Sequence, residues 1–166
     1  LSNVDLEHAQ QAPEPRNFLG PDLPKVSGWY FDFRPTEHLS VSAVPEDSSE
    51  VARGVRLSGA DVFSVFRDVP VTSGQGYVLD ASLAYRVSPD NRTQVRLSWS
   101  GADGRSLGTQ IPFRCPTGDS GEARRIVLPL HAPEGATKLR LRFFVSRQYP
   151  DDFLELKRVA VLEVGE

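Results

Sequence analysis

The sequence predicts an all-β chain folded as a two-sheet antiparallel β-sandwich. Three observations predict it. From Trp29 onward, apolar and polar residues alternate in short stretches of period 2. Clusters of Gly, Pro, Asp, Ser and Asn separate those stretches at short intervals. No segment carries a helical apolar stripe of useful length. About nine strands with no obligatory helix suit two stacked sheets better than any α/β arrangement.

The elements follow in order. Leu1 to Glu7 reads as an opening strand. Pro13, Pro15, Pro21 and Pro24 then exclude regular structure, so residues 8–27 read as an irregular arm. Leu39, Val41 and Ala43 alternate with Ser40 and Ser42, and Val55, Leu57 and Gly59 with Arg56 and Ser58. Phe63 to Val71 is a longer apolar strand, ended by Thr72-Ser73-Gly74-Gln75-Gly76. Leu79, Ala81, Leu83, Tyr85 and Val87 share one face of the next strand, and Ser88-Pro89-Asp90-Asn91 turns the chain. Val95, Leu97 and Trp99 follow, closed by Gly101-Ala102-Asp103-Gly104. Ile126, Leu128 and Leu130 form another strand, and Leu139, Leu141, Phe143 and Val145 another. The last, Leu154 to Val164, changes phase near Lys157-Arg158, the mark of a bulge.

With 166 residues the chain has the length of one domain, drawn over 1–166, and buries enough surface to fold without metal or disulfide. The absence of methionine and the start at Leu1 fit a mature or excised form. No run of 18 apolar residues exists, which predicts no membrane span. A net charge of −3 argues against a nucleic-acid partner. The basic residues are biased, 16 Arg to 3 Lys, and Arg grips carboxylate or phosphate in a bidentate fork.

The residues offer little for catalysis. The single cysteine, Cys115, has no internal partner and reads as a small packed side chain between Pro112 and Pro116. His8, His38 and His131 have no metal-binding spacing, so no metal and no cofactor is expected. No nucleophile elbow or phosphate loop is present. Most carboxylates sit in turn-like segments, where capping is their ordinary role. Asn91-Arg92-Thr93 matches a glycosylation acceptor, and nothing else in the sequence supports its use.

Several segments occur in an order that resembles the carbohydrate-binding modules of the galactose-binding-like jelly-roll group. Leu1-Ser2-Asn3-Val4-Asp5-Leu6-Glu7 with Gly28-Trp29 is similar to their opening, and Val69-Pro70-Val71 through Gly76-Tyr77-Val78-Leu79 to a strand pair. Val95-Arg96-Leu97-Ser98-Trp99 with Asp103-Gly104 resembles their Trp hairpin. Ala132-Pro133-Glu134-Gly135-Ala136-Thr137-Lys138-Leu139 resembles a further segment. The resemblance covers nearly the whole chain. It implies a jelly roll that binds a polysaccharide or oligosaccharide without catalysis. It departs at Lys157-Arg158, where such modules often carry an Asp pair, one of which helps an N-terminal acidic residue hold a structural calcium. A cation supplies no ligand to calcium, so that site is expected to be absent, with a salt bridge from Glu7 to Lys157 or Arg158 in its place.

Sugar recognition needs flat rings to stack on and planar polar groups to read hydroxyls. Trp99, Tyr85 and Phe143 share faces with aliphatic residues and read as core. Phe144 alternates with Arg140 and Arg142 on the polar face, where it either meets a ligand or packs under the N-terminal arm. Arg56, Arg86, Arg96, Arg140 and Arg142 would share one surface if their strands adjoin in one sheet, and would then suit an acidic glycan. Against this stands an ordinary solvated face with ion pairs. Trp29 and Tyr30, in the loop-like run Trp29–Phe33, and Tyr149, in Tyr149–Phe153, complete the candidate rim, with Trp29 ambiguous between packing and binding.

The expected function is a non-catalytic glycan-binding module, favouring an acidic glycan, in a larger bacterial protein. Its place would be extracellular or periplasmic, secreted or in the cell envelope, beside other domains of that parent. The alternative is a protein-interaction or structural sandwich without a glycan ligand.

Overall fold

The computed structural model describes residues 29–34, 36–46 and 49–165, with backbone alone for 43–46 and 49–54. The described residues form eleven strands and no helix, and so no helix long and apolar enough to cross a membrane. They are β1 (Tyr30–Phe33), β2 (Ser40–Glu46), β3 (Ser49–Ser58), β4 (Val62–Pro70), β5 (Gly76–Val87) and β6 (Arg92–Ser100), then β7 (Ser106–Arg114), β8 (Gly118–Asp119), β9 (Arg124–His131), β10 (Lys138–Ser146) and β11 (Phe153–Glu163). One sheet runs β1-β4-β10-β6-β7; the other runs β2-β3-β11-β5, with β8 and β9 both pairing β5. Every pairing is antiparallel. The all-β sandwich read from the alternation is the fold observed.

The core lies between the sheets. Val95, Leu97 and Trp99 of β6 and Leu139, Leu141, Phe143 and Val145 of β10 are at most 2% exposed. They face Leu79, Ala81, Leu83 and Tyr85 of β5 and Leu154, Leu156 and Val159 of β11. Because strand side chains alternate, burying one set turns the intervening residues outward on each sheet. The β11 bulge falls between Leu156 and Arg158, at the predicted phase change.

Three segments differ from expectation. Residues 30–33, expected as a rim loop, pair with Phe63–Phe66 as edge strand β1. Phe31 there is 6% exposed and packs on Phe63. Residues 106–114 form an edge strand, β7, whose register slips between Val95 and Leu97 and again between Trp99 and Ser100. Two bulges and Pro112 erase its alternation, and its mostly exposed side chains leave no apolar period to read. The two-residue β8 was also unread. The predicted opening strand and the Pro-rich arm lie outside the described residues.

Two loops are fixed by unusual means. Gly59 has φ +69°, and a Cβ there would meet the His38 carbonyl oxygen at 2.0 Å, so only glycine fits between β3 and β4. At the same end of the sandwich Asp152, 1% exposed, accepts hydrogen bonds from Ser88 N and Oγ, Asn91 Nδ2 and Tyr149 N. That carboxylate fastens the β5–β6 turn to the β10–β11 loop.

Candidate glycan-binding face

The outward face of the five-stranded sheet is built in rows by the cross-strand register. Tyr30, Phe66, Arg142 and Arg96 lie side by side across β1, β4, β10 and β6. Beside them run Asp32, Ser64, Phe144, Gln94 and Arg114. On the other flank run Asp68, Arg140, Ser98 and Thr109. Each of these follows from alternation, because its strand neighbours fill the core.

The rings of this face are already stacked with protein partners. Tyr30 and Phe66 lie nearly parallel with centroids 5.5 Å apart. The guanidinium carbons of Arg140 and Arg142 approach the Phe66 centroid to 4.7 and 5.3 Å. That of Arg96 sits 3.5 Å over Phe144. Such contacts hold long side chains in place and leave part of each ring half-exposed.

The arginines differ in what neutralises them. Arg140 donates from Nε and an Nη to the two oxygens of Asp68 at 2.7 and 2.9 Å, and Lys138 approaches the same carboxylate at 3.6 Å. Partial burial of Asp68 works to raise its pKa, but the hydrogen bond and charge of Arg140, aided by Lys138, outweigh it and hold the group below its usual range. Arg96 instead donates to the amide oxygen of Gln94, once that amide is oriented to accept. Burial, followed by the charges of Arg142, Arg114 and Arg92, pushes the Arg96 pKa down. Among the described residues no carboxylate lies within 4.0 Å of Arg92, Arg96, Arg114 or Arg142.

On the opposite sheet three arginines are each paired with a carboxylate. Arg56 pairs with Glu155 at 3.0 Å and lies 3.9 Å over Phe153. Arg86 pairs with Asp119 at 2.9 Å, and Arg125 with Asp80 at 2.8 Å. The five arginines singled out in the sequence therefore do not share a surface. Arg96, Arg140 and Arg142 lie on the five-stranded sheet, and Arg56 and Arg86 lie on the six-stranded one. Period-2 reading assigns a residue to a face of its strand and says nothing of which sheet the strand joins.

The remaining candidates separate as well. Trp29, expected as ambiguous, is 1% exposed against Phe143 at 5.8 Å, so it belongs to the core. Tyr149 is half-exposed in the β10–β11 loop, where its hydroxyl donates to Asp90 at 3.2 Å, away from the Phe66–Arg142 rows. Tyr30 and Phe144 join those rows. Sequence reading missed Phe66, Arg114 and Gln94. Phe66 was hidden in a run read as uniformly apolar, although Phe63 and Val65 at 0% and 1% exposure fix it on the outer side. Cover of Phe144 by the arm lies outside the described residues.

Lys157 approaches Glu155 at 3.5 Å, and two adjacent cations at 157 and 158 do not fit a divalent metal. The proposed partner, Glu7, lies outside the described residues.

The sequence matches no protein-family model and no curated protein. Solved structures do match. The enzymatically active domain of tailspike protein 4 from bacteriophage CBA120 aligns with TM-score 0.63 at 18% identity over 83% of this chain and 20% of that one. The C-terminal family 22 carbohydrate-binding module of Clostridium thermocellum Xyn10B aligns with TM-score 0.56 at 10% identity over 92% and 98%. A family 16 carbohydrate-binding module aligns with TM-score 0.55 at 18% identity over 78% and 89%. The chain spans about a fifth of that tailspike structure and about a quarter of a Clostridium thermocellum xylanase 10B structure that joins a family 22 module to a GH10 module. At these identities the likeness is one of fold: the chain has the jelly-roll sandwich of the carbohydrate-binding modules.

Proposed function

We propose that the chain is a non-catalytic glycan-binding module whose ligand lies on the outward face of the five-stranded sheet, with an acidic glycan preferred. The observation that carries this is the pairing, on one face, of half-exposed rings with guanidiniums that no carboxylate among the described residues neutralises. Phe66, Tyr30 and Phe144 offer apolar surface to the C–H faces of sugars. Arg142, Arg96 and Arg114 offer donors that match a uronate carboxylate. The fold shared with carbohydrate-binding modules supports the glycan. The non-catalytic reading is supported by the commitment of Asp68, Asp80, Asp119 and Glu155 to cations.

A module of this kind belongs to a larger extracellular or periplasmic protein acting at a polysaccharide. Shallow polar faces bury little apolar area, so dissociation constants between about 1 μM and 1 mM are expected. The test is a glycan array holding neutral and uronate polymers, followed by calorimetry with Phe66→Ala. Binding to uronate polymers that falls about tenfold in the variant fits the loss of one stacking platform worth about 1.5 kcal/mol. A folded sample that binds neither class overturns the reading.

One observation favours a second, structural role for the other sheet. Leu162, Val78 and Pro129 are neighbours in register on its outer face, as are Ala160, Asp80 and Val127. Leu162 and Val127 are each 51% exposed, and Val164 47%. Such a strip suits the flank of a neighbouring domain in the parent protein. Sedimentation with the adjoining domain present, set against Leu162→Ser, tests it.

A further inference from the structure

Arg142 stands directly across from Arg96 in the β10–β6 register. Like charges so placed repel, with Cβ atoms about 5 Å apart, and cost stability. Among the described residues no carboxylate relieves the repulsion, although one serves Arg140 two residues earlier on the same strand. A local rule broken without structural compensation marks a functional demand.

The two guanidiniums are held differently. Arg96 is committed through Gln94 and is seated over Phe144. Arg142 lies against the Phe66 ring at 5.3 Å, and among the described residues no hydrogen bond or ion pair engages its donors. Both side chains are half-buried, where a charge interaction is screened less than in bulk water. Arg92 and Arg114 are exposed, so they add to the field while staying hydrated.

Resting on the glycan reading, we propose that Arg142 and Arg96 form a subsite for one anionic substituent of the bound sugar, a carboxylate or a sulfate, and that Phe66 and Phe144 flank it as ring platforms. The face therefore takes a single acidic sugar between neutral neighbours, rather than a run of charges. Arg140, closed by Asp68, is excluded from the subsite. Arg92 and Arg114 attract the ligand without gripping it.

The probes are methyl glucuronide, methyl glucoside, glucose 6-sulfate, digalacturonate and the neutral xylohexaose. Each is titrated at fixed ionic strength into ¹⁵N-labelled protein, observing arginine Nε–H resonances. The expected result is saturable shifts of Arg142 and Arg96 with methyl glucuronide, with glucose 6-sulfate or with both, and none with methyl glucoside. Which anion binds more tightly identifies carboxylate or sulfate as the group read. Arg142→Gln weakens the bound anion by about tenfold or more, and Arg142→Lys less, because it keeps charge and loses the fork. Arg86→Gln, on the other sheet, changes nothing. Digalacturonate binds within about twofold of the monosaccharide, the statistical gain for one site. Anion binding unchanged in Arg142→Gln, or a further tenfold gain for digalacturonate, overturns the single-anion subsite. If xylohexaose still perturbs Tyr30 and Phe66 in that event, the glycan reading stands without it. If none of the five probes perturbs the face, both fall.

Discussion

Arg140 of β10 grips Asp68 of β4 with two parallel hydrogen bonds across the sheet. The fork removes one arginine from the candidate ligand surface and ties two central strands together. Its consequence for stability has a definite sign. The folded Asp68 pKa lies below its ordinary 3.8. Below about pH 4 the unfolded chain therefore binds a proton that the folded protein still refuses, and stability falls as pH falls. The contribution is fully present at neutral pH and is lost as pH drops through the folded value. Asp68→Asn should lower stability at pH 7 by about 1 kcal/mol, the scale of a half-exposed bidentate pair. The difference from the parent should shrink as pH falls below 4. Urea titrations at pH 7, 4 and 2 check this.

Trp29 fills the core rather than the rim, so its substitution should act on folding. Trp29→Ala should cost about 3–5 kcal/mol, as expected for a buried aromatic removed from a packed interior. Its indole N–H has no acceptor among the described residues. Trp29→Phe therefore loses volume and sheds an unpaired donor, and should cost clearly less than the alanine variant. In denaturant melts the order should be Phe above Ala. Glycan affinity of the folded Phe variant should match the parent.

Trp29 also shows where sequence reading stops. Leu141, Phe143 and Val145 declared their face because six neighbouring residues keep strict alternation, and each is at most 1% exposed. Trp29 precedes a four-residue strand at a sheet edge, too short to establish a period, so the run around it read as a loop. The arginine face was legible strand by strand and illegible as a whole. Arg96 and Arg86 have the same local pattern, yet β6 joins β10 while β5 joins β11. That choice is made by long-range pairing, which no local period encodes.

Asn91 occupies a glycosylation-type motif, but the structure engages it otherwise. Its amide donates to Asp152 at 2.9 Å, its oxygen accepts from Thr93 Oγ1 at 2.9 Å, and the residue is 7% exposed. A modifying enzyme would need both the amide and the threonine hydroxyl free. Expression in a glycosylating host should leave the intact mass of the folded protein unchanged. Asp152→Ala strands the four donors its carboxylate satisfies and should cost about 2–4 kcal/mol. Its thermal unfolding should shift down accordingly, with the β5–β6 turn losing amide-exchange protection first.

Cys115 follows β7 and is 9% exposed, its backbone N–H donating to Thr93 O at 2.8 Å. Burial pushes its thiol pKa up to about 12. The thiolate is the reactive form, so at pH 7 only about one molecule in 10⁵ carries it. Ellman's reagent should leave the native protein unlabelled over hours and should label it fully in denaturant. Between about pH 9 and 12 the folded protein keeps a proton that the unfolded chain has released. Stability should therefore fall as pH rises through that window, the reverse of the Asp68 effect. Cys115→Ala removes the titrating group and should flatten this alkaline slope in urea titrations at pH 8 and 10. An equal slope in both proteins would assign the alkaline loss to other groups.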